Sequence, residues 1–211
     1  MHRHALIIAH IPRAVLFGCT RSSRSKGGFA IDSALQIPPE EQTLMHLLRL
    51  PSAFTSTHQV VAEEIDEYAH VNNTVYLQWL DGIAWAHSAR LGLPLDRCLA
   101  LRRGMAVRHT RVDYLDAAFL ADTLLIATWI IACDGRLRCT RRFEILRVAD
   151  AKRVLEAEID YFCLNLDTGK PCRFPSEFVE NYAVNPQVAA AYAKLPATSR
   201  HVGHSRGVMQ K

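Results

Sequence analysis

The sequence predicts an α+β domain in which an antiparallel sheet of about five strands wraps around one long central helix. Two observations carry this prediction. One helix-length segment, 73–91, is apolar on almost every side, so other structure must enclose it. The four segments 106–115, 122–133, 136–148 and 153–167 follow it, and all have strand-like composition. A single curved sheet is the compact way to enclose one such helix.

The first elements are predicted from local signals. The stretch HQVVAEE at 58–64 is rich in β-branched residues and predicts a short first strand. Asn72 is a suitable cap for the start of the long helix. Gly92 can take the left-handed conformation just after its end, and Pro94 follows. We therefore expect a strand, a turn and then a helix with defined limits.

The later strands are expected to form a hairpin around Asp134-Gly135, a pair typical of tight turns. Along 136–148, apolar side chains alternate with polar ones, which predicts one buried face and one face in water. The apolar set is Leu137, Cys139, Phe143 and Ile145, and the polar set is Arg138, Thr140, Arg142 and Glu144. The arginines of this segment, Arg136, Arg138, Arg141 and Arg142, are accordingly interpreted as its solvated side.

The net charge of +4 belongs to the flanks of the chain. Residues 1–50 carry a net +3, residues 51–185 a net −3 and residues 186–211 a net +4. The first segment includes the Ser/Gly-rich stretch TRSSRSKGG and is expected to be a disordered basic leader. We expect the folded domain to span 51–185 and the last segment to be a disordered tail.

Several classes of protein are disfavoured by composition. The chain lacks a run of eighteen apolar residues, so a membrane-spanning helix is not expected. The acidic balance of the central segment disfavours nucleic acid as a partner. The six cysteines form no CxxC pair, which disfavours a zinc site and favours free thiols in a reducing compartment such as the cytoplasm.

The polar residues before the long helix are the candidate site. A helix start presents unpaired N–H groups that can stabilise an oxyanion, and Asp66 lies seven residues before Asn73. A carboxylate beside such a helix start could deprotonate water or attack a thioester. His70 and Asn72 could orient the water, the loop or the substrate. On spacing alone, Asp66 could equally be a turn residue and Asn72 only a cap.

A resemblance narrows these alternatives. The segment DEYAHVNNTVYLQWLD resembles the signature of hotdog-fold acyl-CoA thioesterases of the 4-hydroxybenzoyl-CoA thioesterase type. The segments HTRVDYLDAAFLADTLLIATWI and NLDTGKPCRFPSEF resemble later strands and the end of the same family. The resemblance covers about residues 55–182. It implies a hotdog fold and hydrolysis of acyl-CoA to a free acid and CoA, with no cofactor and no metal.

Carried over by position, the resemblance implies roles for individual residues. Asp66 matches the catalytic carboxylate, and the N–H of Asn73 matches the donor to the thioester carbonyl. His70 and Asn72 match the loop of the signature, and Tyr76 matches an aromatic position expected to contact substrate. Two departures concern the loop. Ala69 stands where many relatives have Gly, which makes a positive φ harder, and Glu64 stands where a second Asp is common.

Other candidates remain open. Asp81 is a competing carboxylate two turns into the helix. The CoA phosphates would need cations near the cleft mouth, for which Arg108 and Arg141 are candidates together with Arg102 and Arg103.

The resemblance also implies a homodimer or homotetramer with sites between subunits. The enzymatic alternative is a thioesterase acting on acyl-carrier protein, while a hotdog hydratase is disfavoured by the spacing of Asp66 and His70. A non-catalytic subunit that binds acyl-CoA is the alternative from another class, because fold does not fix function.

Overall fold

The computed structural model describes residues 44–196 and 199–200. In this part of the chain, five strands form one antiparallel sheet: β1 Phe54–Gln59, β2 Arg103–Tyr114, β3 Thr123–Cys133, β4 Arg138–Arg147 and β5 Arg153–Asn165. Their order is β1-β3-β4-β5-β2, so β1 and β2 form the two edges. The helices are α1 Asn73–Arg90, α2 Leu95–Ala100, α3 Ser176–Asn181 and α4 Pro186–Lys194.

The long helix α1 forms as predicted. The side chain of Asn72 accepts the N–H of Thr74 at 2.9 Å and caps its start. Gly92, just past its end, has a φ of +92°, the left-handed conformation expected there. The helix packs on one face of the sheet, here called the inner face. The core residues on the two sides of this contact include Tyr76, Trp79, Leu80 and Ile83 of α1 and Leu124, Ile126, Phe143 and Ile145 of the sheet.

The first strand lies earlier than predicted. β1 spans Phe54–Gln59, and the predicted 58–64 contains only its last two residues. Ala62–Glu64 instead forms a 3₁₀ turn, whose N-terminal side is closed by a hydrogen bond from the Val61 N–H to the Glu64 carboxylate. The local sequence Ala-Glu-Glu favours a helical turn, and this preference outweighs the β-branched pair before it.

The opposite, outer face of the sheet is partly covered by segments that the sequence analysis assigned to the flanks. Leu44, Leu48 and Leu50 pack with Val188 of α4 against Trp129 of β3. The Trp129 indole N–H also donates to the Pro51 carbonyl at 2.8 Å. The predicted domain limits of 51 and 185 therefore leave out two segments that belong to the core. The rest of the predicted leader and tail, 1–43, 197–198 and 201–211, lies outside the described residues.

The second half of the polar side of β4, Arg142 and Glu144, is buried, contrary to the prediction that this side faces water. The guanidinium of Arg142 lies 3.1 Å from Glu144, 2.7 Å from Glu156 and 3.1 Å from Glu158. Arg142 also donates to the Ser199 carbonyl, and the Tyr192 hydroxyl donates to Glu158. The alternation assigned the side chains to the correct faces of β4, but Tyr192 and Ser199 exclude water from Arg142 and the glutamates around it.

None of the helices within residues 44–196 is both long and apolar enough to cross a lipid bilayer.

We predict that Arg142→Met lowers the free energy of unfolding by about 3–5 kcal/mol, because it removes the buried cation that three glutamates share, and Arg49 and Arg153 compensate only two of them. Arg138 lies on the same strand and is exposed, so Arg138→Met is the matched control, with an expected effect of about 0.5 kcal/mol or less. Urea unfolding of both variants and the wild type measures the difference. Equal stability of the two variants would contradict the structural role of the buried cluster.

Candidate active site at the start of the long helix

The loop before α1 folds back on itself through three backbone contacts. The Asn72 N–H donates to the Glu64 carbonyl at 2.9 Å, and Ile65 forms an isolated antiparallel bridge with Val71. The Asp66 N–H then donates to the His70 carbonyl at 2.9 Å. Asp66 and His70 thus face each other across a tight turn. At about 3.3 Å per residue, Asp66 stands roughly 7 Å from the level of Asn72.

Glu64 anchors this loop to the rest of the fold. Its carboxylate accepts the Trp79 indole N–H at 3.0 Å and the Val61 N–H at 3.0 Å, and it lies 2.9 Å from His58 Nε2. Burial acts to raise the pKa of Glu64, but these hydrogen bonds outweigh it and hold the pKa below its ordinary value. The residue that replaces the family's second Asp is therefore an ionised structural anchor.

Asp66 has one carboxylate oxygen engaged in the turn. Its Oδ1 accepts the Tyr68 N–H at 2.9 Å and lies 3.5 Å from His70 Nδ1. Oδ2 has no hydrogen-bond partner among the described residues. The side chain is 14 % exposed, so water can reach it. This leaves one oxygen available to a substrate or to an attacking water.

Ala69 adopts the positive φ that the sequence analysis regarded as unfavourable for it. Its φ is +63°, and its N–H donates to the Asp66 carbonyl at 3.0 Å. A residue with a Cβ in this conformation costs about 1 kcal/mol relative to Gly. The turn therefore keeps the geometry expected for Gly despite the substitution.

The start of α1 has one backbone donor that the described residues do not use. The Asn72 side chain takes both the N–H and the hydroxyl of Thr74, and the Val75 N–H donates to the Asn72 carbonyl. The Asn73 N–H has no acceptor in residues 44–196 or 199–200. This N–H lies at the positive end of an 18-residue helix, where it can bind a carbonyl oxygen.

Two of the predicted site residues have structural roles. Asn72 is the helix cap, which was the alternative interpretation of this residue. Tyr76 was expected to contact substrate, but it is 2 % exposed and its hydroxyl accepts the Ala118 N–H at 3.1 Å. Because its ring lies in the core and its hydroxyl is occupied, the structure contradicts the predicted substrate contact of Tyr76.

A cleft with a cavity volume of about 60 Å³ opens beside the C-terminal half of α1. Its walls come from α1, from the start of β2, and from β4 and β5. The residues that line it include Asp81, Trp85, Ser88, Met105, Val107, Arg141, Tyr161 and Tyr182. Asp66 and Asn73 do not line this cleft, so the loop site and the cleft are separate features of one chain.

The two arginines predicted to bind the CoA phosphates, Arg108 and Arg141, lie in different environments. Arg108 is exposed and is the extra residue of a bulge in β2, since Val107 pairs with Tyr161 and His109 with Asp160. Arg141 is buried on the inner face, although it was expected on the solvated side near the cleft mouth. It occupies an inward position between Cys139 and Phe143, where a period of two would have placed it.

Arg141 has neutral neighbours. Its guanidinium donates to His87 Nδ1 at 2.8 Å and to Ser88 Oγ at 2.9 Å, and it lies 5.6 Å from the centre of the Tyr182 ring. Burial, together with the charge of Arg141, lowers the pKa of His87 to about 3. His87 is therefore neutral and accepts the bond. Sequence reasoning missed His87, Ser88 and Tyr182, and the inward position of Arg141 was the signal that could have found them.

Asp81, the competing carboxylate, lies in the cleft wall and not near the loop. Burial raises its pKa, and a hydrogen bond from Trp85 opposes this rise. It is thus a second acid with a perturbed pKa. Among the described residues, no group of three or more His, Cys, Asp or Glu side chains is arranged to hold a metal ion.

Comparisons with known proteins agree with this architecture. Residues 60–182 match the model of the thioesterase-like superfamily, and no curated protein matches the chain. A 1,4-dihydroxy-2-naphthoyl-CoA thioesterase from Synechocystis is 20% identical, with a TM-score of 0.56 over 62% of this chain and 96% of its own. A hypothetical protein from Staphylococcus aureus in complex with CoA is 21% identical, with a TM-score of 0.58 over 70% and 88%. Similarity at this level of identity establishes a shared fold.

We predict that the stability of the protein depends on pH through His87. The folded state keeps His87 neutral down to about pH 3, whereas an unfolded chain takes up the proton near its ordinary pKa of 6.5. Because the unfolded state binds more protons in this window, stability falls as the pH drops from 6.5 towards 3. His87→Gln keeps an acceptor for Arg141 and removes the titration.

Between pH 6.5 and 4.5, the wild type should lose about 2 kcal/mol more unfolding free energy than His87→Gln. Urea unfolding at several pH values measures this. The same change at exposed His46 is the control, which should follow the wild type. Parallel curves for wild type and His87→Gln would show that His87 is not buried in its neutral form.

Proposed function

The chain belongs to the thioesterase-like superfamily, and from this premise we propose that it hydrolyses acyl-CoA thioesters to a free carboxylic acid and CoA. The observation that carries the proposal is the unused Asn73 N–H at the start of α1, with the partly exposed Asp66 carboxylate in the turn that leads into it. Together they offer an oxyanion donor and a base.

The proposed reaction assigns one role to each group. The Asn73 N–H donates a hydrogen bond to the thioester carbonyl oxygen and binds it more strongly as negative charge develops on that oxygen. Asp66 removes a proton from water as the water oxygen attacks the carbonyl carbon. The carbon–sulfur bond then breaks, and Asp66 returns the proton to the CoA sulfur as it leaves, which regenerates the carboxylate. In the nucleophilic variant, Asp66 itself attacks, and water hydrolyses the resulting anhydride.

His70 and Asn72 serve as positioning residues in this proposal. The His70 ring is 3.5 Å from Asp66 Oδ1 and the His70 carbonyl binds the Asp66 N–H, so His70 holds the turn from two sides. Asn72 fixes the first turn of α1 through Thr74 and thereby the direction of the Asn73 N–H. Both act through their neighbours and need not touch the substrate.

We propose that the site is completed by a second copy of the chain. The 12-residue strand β2 is an edge of the sheet and is exposed along its middle, which is a ready surface for strand pairing. Apolar side chains on the neighbouring surfaces are also exposed: Leu77 and Trp85 of α1 and Val107 and Tyr114 of β2. Residues 44–50 and α4 already cover part of the outer face of the sheet, so a second copy is not needed on that face.

α1 and β2 run in opposite directions, and this arrangement determines which parts of two copies such pairing would bring together. The Tyr114 hydroxyl, at the end of β2, donates to the Asn73 carbonyl at the start of α1. Met105 and Val107, near the start of β2, line the cleft at the other end of α1. A symmetric antiparallel pairing of two β2 strands places the start of one against the end of the other. The loop of one copy would then face the cleft of its partner.

Two further parts of the proposal concern the CoA phosphates and the cellular compartment. Arg108 stands exposed on the edge strand and is the remaining candidate of the two for the CoA phosphates. The five described cysteines are free, and Cys163 and Cys172 lie 3.7 Å apart at sulfur without a bond. This favours a reducing compartment such as the cytoplasm.

We predict that Asp66→Asn lowers kcat/KM on acyl-CoA substrates at least ~100-fold, the scale of a lost base, while the protein stays folded. Thiol release from short, long and aromatic acyl-CoAs, with an unfolding curve for each protein, measures this. Asp81→Asn is the matched control, since it makes the same change in the cleft wall. A larger loss in the control would assign the base to Asp81.

The same assay separates the alternatives. No turnover of any acyl-CoA by the wild type, with turnover of acyl-carrier protein thioesters, would replace CoA by the carrier protein. Binding of acyl-CoA without any turnover would favour a non-catalytic subunit.

We predict that the purified protein is a dimer of about 47 kDa, twice the 23.7 kDa of one chain. Light scattering over a range of concentrations measures the mass. A tetramer would add a second interface and keep the paired site. A mass of one chain in an active sample would contradict the shared site.

A further inference from the structure

Arg141 is a buried cation for which the described structure supplies no anion. The residue is 4 % exposed, and its guanidinium is always charged at neutral pH. Its hydrogen-bond partners, His87 Nδ1 at 2.8 Å and Ser88 Oγ at 2.9 Å, carry no negative charge. Among the described residues, no carboxylate oxygen lies within the 4.0 Å of an ion pair with it.

The next residue shows how this fold treats a buried arginine that is purely structural. Arg142 points to the outer face and is surrounded by three glutamates at 2.7–3.1 Å. The two guanidinium groups are on the same strand and are equally inaccessible, yet only one is neutralised. A buried guanidinium without a counter-ion is unfavourable unless it serves a ligand. Its place in the cleft wall indicates where that ligand would lie.

The cleft surrounds this charge with apolar and aromatic side chains. Tyr161 and Tyr182 line it together with Met105 and Val107. The Tyr182 ring lies beneath the guanidinium, and its hydroxyl donates to Ser88 Oγ at 3.1 Å, which fixes the plane of the fork. The hydrogen bonds to His87 and Ser88 use two of the five N–H groups of Arg141, so donors remain for a bidentate partner.

Asp81 is the carboxylate in the cleft wall that could be thought to neutralise Arg141. Its side chain is hydrogen-bonded by Trp85, one helical turn further along α1, and not by Arg141. It stands at the exposed surface of α1, whereas Arg141 lies deep against Ser88. The cleft wall therefore contains an exposed acid and a buried cation that has no counter-ion among the described residues.

We propose that the cleft receives the acyl group and that Arg141 pairs with a carboxylate at the end of that group remote from the thioester. The preferred substrates are then CoA thioesters of dicarboxylic acids. The inference rests on the proposed thioester hydrolysis and adds the class of acyl group. A carboxylate matches the planar fork of Arg141, and the apolar walls exclude the water that would otherwise screen the pair. A neutral acyl group would leave the guanidinium buried and unpaired.

Two matched pairs of substrates test the proposal: adipoyl-CoA against heptanoyl-CoA, and 4-carboxybenzoyl-CoA against 4-methylbenzoyl-CoA. In each pair the two acyl groups have similar size and differ in the terminal charge. In at least one pair, wild type should show a kcat/KM at least ~10-fold higher for the carboxylate, the scale of one charge-assisted contact. Arg141→Met should reverse that preference, and Arg138→Met, an exposed arginine on the same strand, should keep it.

Binding to Asp66→Asn protein gives a readout that does not depend on turnover. Calorimetric titration should show the same preference for the carboxylate member, and Arg141→Met in that background should remove it. If wild type does not hydrolyse any of the four thioesters but Asp66→Asn still binds the carboxylate members more tightly, the reaction is wrong and the pocket assignment stands.

The proposal is overturned if wild type favours the neutral member of both pairs, or if Arg141→Met folds and leaves the preference unchanged. Should Arg141→Met fail to fold, Arg141→Lys keeps the charge without the fork and should show a reduced preference, and the ratio in wild type decides by itself.

Discussion

The hydrogen bonds to the Glu64 carboxylate hold the loop, the first strand and the long helix in one geometry. Trp79 reaches it from α1, His58 from β1 and the Val61 N–H from the intervening turn. The backbone carbonyl of the same residue accepts the Asn72 N–H, so the cap of α1 and the anchor of the loop are one unit. Because Asp66 is two residues from this anchor, its distance from the helix start is fixed before any substrate binds.

Within a single chain, the proposed catalytic groups and the proposed acyl pocket lie apart. The turn and the helix start lie at one end of α1, while the cleft lies at the other end, and β2 runs alongside in the opposite direction. The edge strand β2 can connect the two regions, because antiparallel pairing of two copies places the start of one β2 beside the end of the other. The proposed catalytic group and the proposed acyl pocket would then belong to different chains at each site.

Much of the fold and part of the site could be predicted from local sequence. The limits of α1 followed from Asn72 and Gly92, and a turn was expected between the first strand and α1. The fate of β4 could not be predicted in the same way. Its charged side is buried by Ser199, 57 residues beyond Arg142, and by Tyr192, which contacts Glu158 on β5 34 residues earlier, and contacts of that separation leave no local pattern. Arg141 was misjudged because it was counted with neighbouring arginines, although its position in the alternation pointed inward.

The measurement that tests this account most directly is a crystal structure of the Asp66→Asn protein with an acyl-CoA bound. The account predicts that the thioester oxygen lies about 3 Å from the Asn73 nitrogen, at normal hydrogen-bond distance. It also predicts that the acyl group enters the cleft of the second copy, next to Arg141. A thioester bound on the outer face of the sheet, or a carbonyl held away from the start of α1, would contradict it.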